Sequence, residues 1–171
     1  SSLKTKTIDV LKKMEENIPS ETIPIQSEDL HYQVARIYGD LDEKNLMKEI
    51  IEDLVARKNG KPVNRVEYAN TLYQELSDPD KAIDILEEMR SEFLQIESIL
   101  SIKGFDKNFI SRRRWNQWQK AYPEVVNSLV YIYRKNDRNF DAEIVLSDWV
   151  LRNPKDTNAQ EILEQIRSGK K

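Results

Sequence analysis

The chain has 171 residues and a formal net charge of -3 at pH 7; 33% of its residues are charged and 39% are hydrophobic. That length is enough for one domain with a sizeable core, and the apolar fraction is too high for a disordered chain. The acidic balance argues against bulk attraction to nucleic acid or to an anionic membrane. The absence of cysteine excludes disulfides and thiolate metal sites. Four glycines and six prolines are too few for the turns of an all-β chain, so long helices are expected.

No apolar run approaches the ~18 residues of a membrane span, and the first ten residues lack the apolar stretch of a signal peptide. We therefore expect no membrane insertion within this chain. A soluble protein is expected, in the cytoplasm or on the periplasmic face of a membrane protein, with the cytoplasm favoured. Because residue 1 is serine rather than an initiator methionine, we expect a trimmed or processed fragment.

The chain opens with a predicted amphipathic helix over residues 1–19, which ends before Pro19. Its apolar residues recur at helical spacing: Ile8, Leu11, Met14 and Ile18. Residues 20–26 should be extended, because the residue before Pro24 avoids the helical region. Ser27 is then predicted to cap the N-terminus of the next helix.

Four further segments carry apolar residues at helical spacing: 30–38, 46–54, 66–73 and 82–93. Gly60 and Pro62 are predicted to close the second of these helices, and the turn that contains Pro79 should open the fourth. Near the C-terminus, residues 157–168 read as a closing helix with Asp156 or Thr157 as its N-cap.

Residues 126–154 give the clearest signal, two short antiparallel helices joined by a polar turn. The residues predicted to face inward are Val126, Leu129, Val130, Tyr133, Ala142, Leu146 and Trp149. Small Ala142 lies where the two helix backbones must approach closely. Pro154 ends the second helix because it lacks an N–H and clashes with a continuing turn.

The same spacing occurs three times, which indicates a repeat. In each repeat a tyrosine lies nine positions before a residue that packs between helices: Tyr38 and Met47, Tyr73 and Ala82, Tyr133 and Ala142. Apolar residues four positions before each tyrosine, and four and seven positions after each packing residue, complete the register: Val34, Ala69, Leu129, Ile51, Leu86, Leu146, Leu54, Met89 and Trp149. The first two tyrosines are 35 residues apart and the last two are 60 apart, which predicts an insertion between the second and third repeats.

This pattern of an apolar residue, a tyrosine, an alanine, a bulky residue and a late proline resembles the tetratricopeptide repeat family. The resemblance covers roughly residues 28–168. It implies an all-α solenoid, a right-handed superhelix of antiparallel hairpins with about seven to nine helices in one domain, 1–171. Its predicted parts are an N-terminal helix and linker at 1–26, two degenerate repeats at 28–96, an inserted helical segment at 97–122, the best-matching repeat at 123–156 and a C-terminal capping helix at 157–168.

Tetratricopeptide proteins usually bind through a concave face formed by the first helix of each hairpin. The resemblance therefore implies a scaffold or protein-interaction module that binds a peptide or partner protein. The residues expected on that face are Tyr32, Arg36, Asn64, Glu67, Thr71, Gln74, Asn127, Tyr131, Arg134 and Lys135. Polar side chains of mixed sign suit an extended peptide, although ordinary solvated helix faces have the same composition. The asparagine and lysine clamp that some family members use for a C-terminal carboxylate is not reproduced.

Residues 103–120 are rich in cations and aromatics, and we name five of them the basic-aromatic patch: Arg112, Arg113, Arg114, Trp115 and Trp118. Arginines and exposed rings are favoured at binding hot spots, and they also stack on single-stranded RNA or DNA. In the alternative interpretation, Phe109, Trp115 and Trp118 pack into the array, and the arginines are solvated or pair with Glu87, Glu88 and Glu92. We favour the alternative, because aromatics at helical spacing are more often core, and the acidic chain disfavours nucleic acid.

Catalytic signals are weak. His31 is the single histidine and falls on an apolar stripe, where a core role is favoured over a general base. No nucleophile elbow, glycine-rich phosphate loop or histidine-carboxylate metal pattern occurs, so no enzyme, cofactor or metal site is expected.

One further interpretation concerns the whole protein. The proline-flanked opening and the repeat arrangement resemble the soluble C-terminal repeat region of bacterial multi-span glycosyltransferase-like proteins. That resemblance implies an accessory domain of a larger membrane-associated protein.

Overall fold

The structure, a computed structural model, describes residues 2–17, 24–57 and 60–169, with residues 24–27 described by their backbone alone. This part of the chain contains eight α-helices and no strand, so the predicted all-α class is confirmed. The helices are α1 (Leu3–Asn17), α2 (Pro24–Asp40), α3 (Lys44–Ala56), α4 (Pro62–Gln74), α5 (Pro79–Lys103), α6 (Arg112–Lys135), α7 (Asn139–Arg152) and α8 (Thr157–Arg167). The chain divides into two compact units, Ser1–Lys81 (unit 1) and Ala82–Lys171 (unit 2), each described by itself.

The start of α2 differs from the prediction. The helix begins at Pro24, so the end of the 20–26 segment is helical rather than extended, and Ser27 lies inside the helix rather than at its N-cap. Proline suits a first helical turn, because its missing N–H has no intrahelical acceptor there and its φ is already helical. The predicted helix end at Ile18 and Pro19, and residues 20–23, lie outside the described residues.

The same preference explains a second correction. Pro62 stands in the first turn of α4, whereas α3 ends earlier, at Ala56, with the Arg57 N–H donating to the Leu54 carbonyl. Pro62 therefore starts a helix rather than closing one. Pro79 opens α5, as predicted.

The predicted boundary at residue 122 does not coincide with a helix end. Helix α6 runs through Pro123, although an internal proline removes one hydrogen bond and costs about 3 kcal/mol. Trp118, Tyr122 and Val126 keep one buried face continuous across the proline, and burial of each large apolar side chain contributes about 1.5–3 kcal/mol. Residues 97–122 therefore form the end of α5, a loop and the first half of α6. The division of the chain into repeats and a cap stays a prediction.

In unit 1, consecutive helices from α1 to α4 pack on one another. A second set of contacts joins α2 to α4. The Tyr68 hydroxyl donates to Glu28 Oε1 at 3.0 Å, and the Tyr32 and Thr71 hydroxyls are hydrogen bonded at 3.1 Å. Further along both helices, Arg36 forms an ion pair with Glu75. The paired residues follow one another in the same order along both helices, so α2 and α4 lie side by side and run in the same direction.

Unit 2 shows the same alternation. The Tyr133 hydroxyl donates to Glu87 at 2.8 Å, and the Tyr122 and Phe93 rings stack with centroids 3.8 Å apart, so α5 and α6 run antiparallel. Between α5 and α7, Arg90 lies 3.8 Å from Asp148, and Glu97 pairs with Arg152 further along. Helices α5 and α7 therefore run parallel.

Three interhelical turns share one backbone feature, a non-glycine residue with positive φ. These residues are Asp42 (φ 60°), Ser77 (φ 54°) and Asp137 (φ 57°), and each follows the tyrosine of its predicted repeat by four positions. In the first and third turns the N–H of the next residue donates to that tyrosine's carbonyl: Glu43 to Tyr38 and Arg138 to Tyr133, both at 2.8 Å. This pattern satisfies the carbonyls left open at a helix C-terminus.

Burial follows the predicted register closely. Two of its residues, Tyr73 and Trp149, are half-buried, and all the others are buried. The Trp149 side chain instead donates its indole N–H to Asp156 Oδ2 at 2.9 Å, which keeps one ring edge at the surface. Val126 and Val130, also predicted to face inward, are buried.

Candidate functional site

Unit 2 contains a cleft of about 610 Å³ lined by residues of α6, α7 and α8, which we call the groove. Its apolar lining comes from Val130 on α6, Leu146 on α7, and Ala159, Ile162 and Ile166 on α8. Four residues predicted for the concave face line it together, all from α6: Asn127, Tyr131, Arg134 and Lys135. The four meet because they lie on one face of a helix, at spacings of three and four.

Three asparagines, each from a different helix, also line the groove: Asn127, Asn139 and Asn158. All three are exposed, and none has a side-chain hydrogen bond within the described part of the chain. Of the four other asparagines of unit 2, Asn108 and Asn116 are also exposed without a side-chain hydrogen bond in the described part of the chain, and two are engaged. Asn136 and Asn153 donate to the carbonyls of Ile132 and Trp149, at 2.7 and 3.1 Å. The groove asparagines therefore present unengaged amides, each able to donate and to accept.

Helix α8 is held against α7 at both ends. At its start, Asp156 is the N-cap: Oδ1 accepts the Ala159 N–H at 3.0 Å, and Oδ2 accepts the Trp149 indole N–H at 2.9 Å. At its end, Arg167 donates to Glu143 at 2.8 Å. The hydrogen bond from Trp149, then that from Ala159, lower the pKa of Asp156. One wall of the groove is thus fixed by a cap that the sequence had predicted.

The groove carries charges of both signs. Arg134 and Lys135 lie at the end of α6, beside Asp137 in the turn. The Lys135 ammonium sits 5.7 Å from the centroid of the Tyr131 ring, and Tyr131 is 50% exposed. Arg134 forms no ion pair with any residue the structure describes. These cations favour a partner segment that brings at least one carboxylate to this end of the groove.

Six of the residues predicted for the concave face lie in unit 1, and three of them are engaged between α2 and α4. Arg36 pairs with Glu75, and Tyr32 bonds to Thr71. Thr71 is only 5% exposed, so its predicted position on an open face is wrong. Its small side chain fits between the helices and donates to the Glu67 carbonyl at 3.0 Å. The other three are half-buried or exposed: Asn64, Glu67 and Gln74.

The basic-aromatic patch is split between core and surface. Trp118 is 2% exposed, and the half-buried Trp115 stacks on Phe93 with ring centroids 5.3 Å apart, so both pack as the favoured interpretation predicted. The Arg114 guanidinium lies 5.9 Å from the Trp118 ring centroid. Arg112 and Arg113 are exposed.

Phe109 departs from its predicted packing role, since it is 44% exposed. It lies in the loop between α5 and α6, where helical spacing no longer decides which side chains face inward. The neighbouring Ile110 is buried instead, a role that sequence reasoning missed. His31 is 8% exposed, as expected for a core residue.

Among the described residues, no cluster of three acidic or histidine side chains is placed to hold a metal ion. In the same ranges, each helix is too short or too polar to cross a membrane.

No protein-family model, no curated protein and no solved structure matches the chain. Family membership therefore stays a prediction. Asn139 and Asn158 were not predicted as site residues, because they lie outside the first helix of a hairpin.

Proposed function

We propose that this protein is a helical-repeat interaction module of the tetratricopeptide type, and that its groove binds an extended peptide segment of a partner protein. The observation that carries the proposal is the set of three unengaged asparagine amides above an apolar floor. The proposed role is binding rather than catalysis.

The chemistry of the lining matches an extended backbone. Such a backbone presents N–H and C=O groups that have no partners of their own, and an asparagine amide complements both. Alternate side chains then point to one side of the segment, where the half-buried Ile162 and Ile166 offer apolar contact. Tyr131 adds a large exposed ring on a rigid helix, the kind of residue that anchors interfaces.

The packing of each unit supports the repeat part of the proposal. In unit 2, α6 runs antiparallel to α5, whereas α7 runs parallel to α5. In unit 1, α2 and α4 are parallel neighbours. Stacked helix hairpins have this alternation, and the tyrosine and turn register recurs along the chain.

A peptide selection tests the function. A random peptide library displayed on phage is panned on the protein, and the affinity of a selected peptide is measured by fluorescence anisotropy. We expect peptides with apolar residues and a carboxylate, and an affinity that falls about tenfold in Tyr131→Ala and in Arg134→Ala.

Two variants provide matched controls outside the groove lining. Phe140→Ala removes an aromatic ring that is 74% exposed, and Lys155→Ala removes an exposed cation. Both should bind the selected peptide as the unmodified protein does. The proposal would be contradicted if no peptide is selected, or if the groove variants and the control variants lose the same amount of affinity for the selected peptide.

A further inference from the structure

The loop between α5 and α6, with the residues that flank it, presents exposed apolar side chains at one end of unit 2. We call residues 102–113 the α5–α6 tip. Ile102 is 79% exposed, Phe105 is 42% exposed and Phe109 is 44% exposed. Three large apolar side chains are thus exposed within eight residues, and clustered exposed apolar side chains are a mark of interaction surfaces.

The tip is an ordered loop. Gly104 has a φ of 72°, which lets the chain leave α5. Asp106 Oδ1 accepts the Asn108 N–H at 2.8 Å, and its carbonyl accepts the Ile110 N–H at 3.1 Å. Ile110 is buried, and Ser111 Oγ caps α6 by accepting the N–H three residues later. The apolar side chains are therefore exposed by a defined backbone.

Cations flank these apolar residues in the sequence, and the Arg112 guanidinium lies 4.8 Å from the Phe105 ring centroid. Six lie between residues 103 and 120: Lys103, Lys107, Arg112, Arg113, Arg114 and Lys120. The single carboxylate in that range, Asp106, already accepts a backbone N–H of the loop. The local charge is thus strongly positive within a chain whose net charge is -3.

Helix stability does not account for this arrangement. Arg112 and Arg113 lie in the first turn of α6, where the positive end of the helix dipole disfavours cations. Neither forms an ion pair with any residue in the described ranges, and of the two only Arg112 has a ring contact, with Phe105. The placement of Arg113 therefore costs stability, and binding to an anionic surface would offset that cost.

We propose that the α5–α6 tip docks on an anionic lipid surface. Ile102, Phe105 and Phe109 enter the interface, and the surrounding cations meet lipid phosphates and carboxylates. Apolar insertion combined with basic attraction is how peripheral segments hold such surfaces. The inference goes beyond peptide binding by the groove and does not rest on it.

A single-stranded nucleic acid fits the tip less well. Bases need open aromatic faces, whereas Trp118 is buried, Trp115 stacks on Phe93, and the Arg112 guanidinium lies 4.8 Å from the Phe105 ring centroid. Aliphatic Ile102, the most exposed of the three apolar residues, offers nothing to a base stack but partitions readily into lipid.

Vesicle co-sedimentation tests the proposal with the whole chain. Vesicles of phosphatidylcholine with phosphatidylserine should retain the protein, and vesicles of phosphatidylcholine alone should not. Lys107→Glu should lower partitioning about tenfold, because it reverses one charge at the surface. Lys155→Glu makes the same charge change in another exposed turn and should change partitioning little.

The apolar contribution has its own matched pair. Phe105→Ser with Phe109→Ser should reduce partitioning at least about tenfold, whereas Phe140→Ser with Leu151→Ser removes two more exposed apolar side chains and should have little effect. Circular dichroism confirms that each variant is folded. The proposal is overturned if anionic vesicles do not retain the folded protein, or if the tip variants and the control variants lose the same amount of vesicle partitioning. It is also overturned if Lys107→Glu lowers binding only to a single-stranded oligonucleotide.

Discussion

A buried carboxylate in unit 1 shows how closely single residues are fitted. Glu28 is 3% exposed and accepts a hydrogen bond from the Tyr68 hydroxyl. Burial, and then the neighbouring Glu28, raise the pKa of Tyr68, which therefore keeps its proton and remains a donor. Gly60 also comes so close to this carboxylate that an added Cβ would lie 2.6 Å from Glu28 Oε1. The absence of a side chain at Gly60 makes room for this carboxylate.

Gly60→Ala should therefore destabilise the protein by about 2 kcal/mol, because the new methyl group displaces a buried, hydrogen-bonded carboxylate. Gly39→Ala is the matched control. Its Cβ would meet Met47 Sδ at 2.9 Å, but a flexible thioether can move, and alanine gains up to about 1 kcal/mol over glycine within a helix. Urea unfolding followed by far-UV circular dichroism measures both variants. If both variants lost the same free energy of unfolding, the role assigned to Gly60 would be contradicted.

At the scale of elements, the Asp156 cap links acid stability to the groove wall. The hydrogen bonds from Trp149 and Ala159 hold its folded-state pKa below the unfolded value of about 3.9. Folding therefore favours the ionised form. The stabilisation is complete above about pH 4 and is lost as the pH falls through the folded-state pKa.

Asp156→Asn should cost about 1 kcal/mol at neutral pH, because an amide has one oxygen for two donors. The cost should shrink as the pH falls from about 4 through the lower folded-state pKa, where the native carboxyl itself becomes protonated. Tryptophan fluorescence during urea unfolding measures it in unit 2, which contains all three tryptophans. Asp137→Asn is the control, since asparagine tolerates its φ of 57°. A cost that stays constant with pH would refute the linkage.

Helix α6 contains an internal proline, Pro123, which lacks the N–H that would donate to the preceding turn. Pro123→Ala restores the missing N–H and removes the ring's clash with the preceding turn, so unit 2 should gain about 1–2 kcal/mol. Thermal unfolding monitored by tryptophan fluorescence provides the test. A lower melting temperature would mean that the buried face of Trp118 and Tyr122 depends on the helix geometry that the proline imposes.

A substitution in the first turn of α6 should also raise the free energy of unfolding of unit 2. Arg113→Glu places an anion near the positive end of the helix and should stabilise unit 2 by about 0.5–1 kcal/mol. The same unfolding assay detects the gain. High salt should reduce it, because Arg113 is exposed. A loss of stability would show that Arg113 has a structural role, which would weaken the case for a binding function at the α5–α6 tip.

The sequence predicted helices and buried faces well, because apolar spacing directly reports which side of a helix meets another. It predicted boundaries poorly where proline was involved. Pro24 and Pro62 each begin a helix, whereas Pro123 lies inside one, and only packing decides between these positions. The exposure of Phe109 was missed for a related reason, since a loop has no period to read.

At the scale of the whole molecule, the groove was only half predictable. Tyr131 and Arg134 could be predicted as site residues because they lie on the outward-facing side of a single helix. Asn139 and Asn158 enter from α7 and α8, and their convergence depends on how three helices pack in unit 2. Thr71 shows the opposite error, because a neighbouring helix covers a position that a single helix would leave open.

The groove's engagement of a peptide backbone is measured most directly by nuclear magnetic resonance of the side-chain amides, with the selected peptide titrated into isotope-labelled protein. We predict chemical-shift changes for Asn127, Asn139 and Asn158, and little change for Asn136 and Asn153, whose amides already donate to their own helices. Shifts confined to asparagines outside the groove, or none at a saturating peptide concentration, would contradict it.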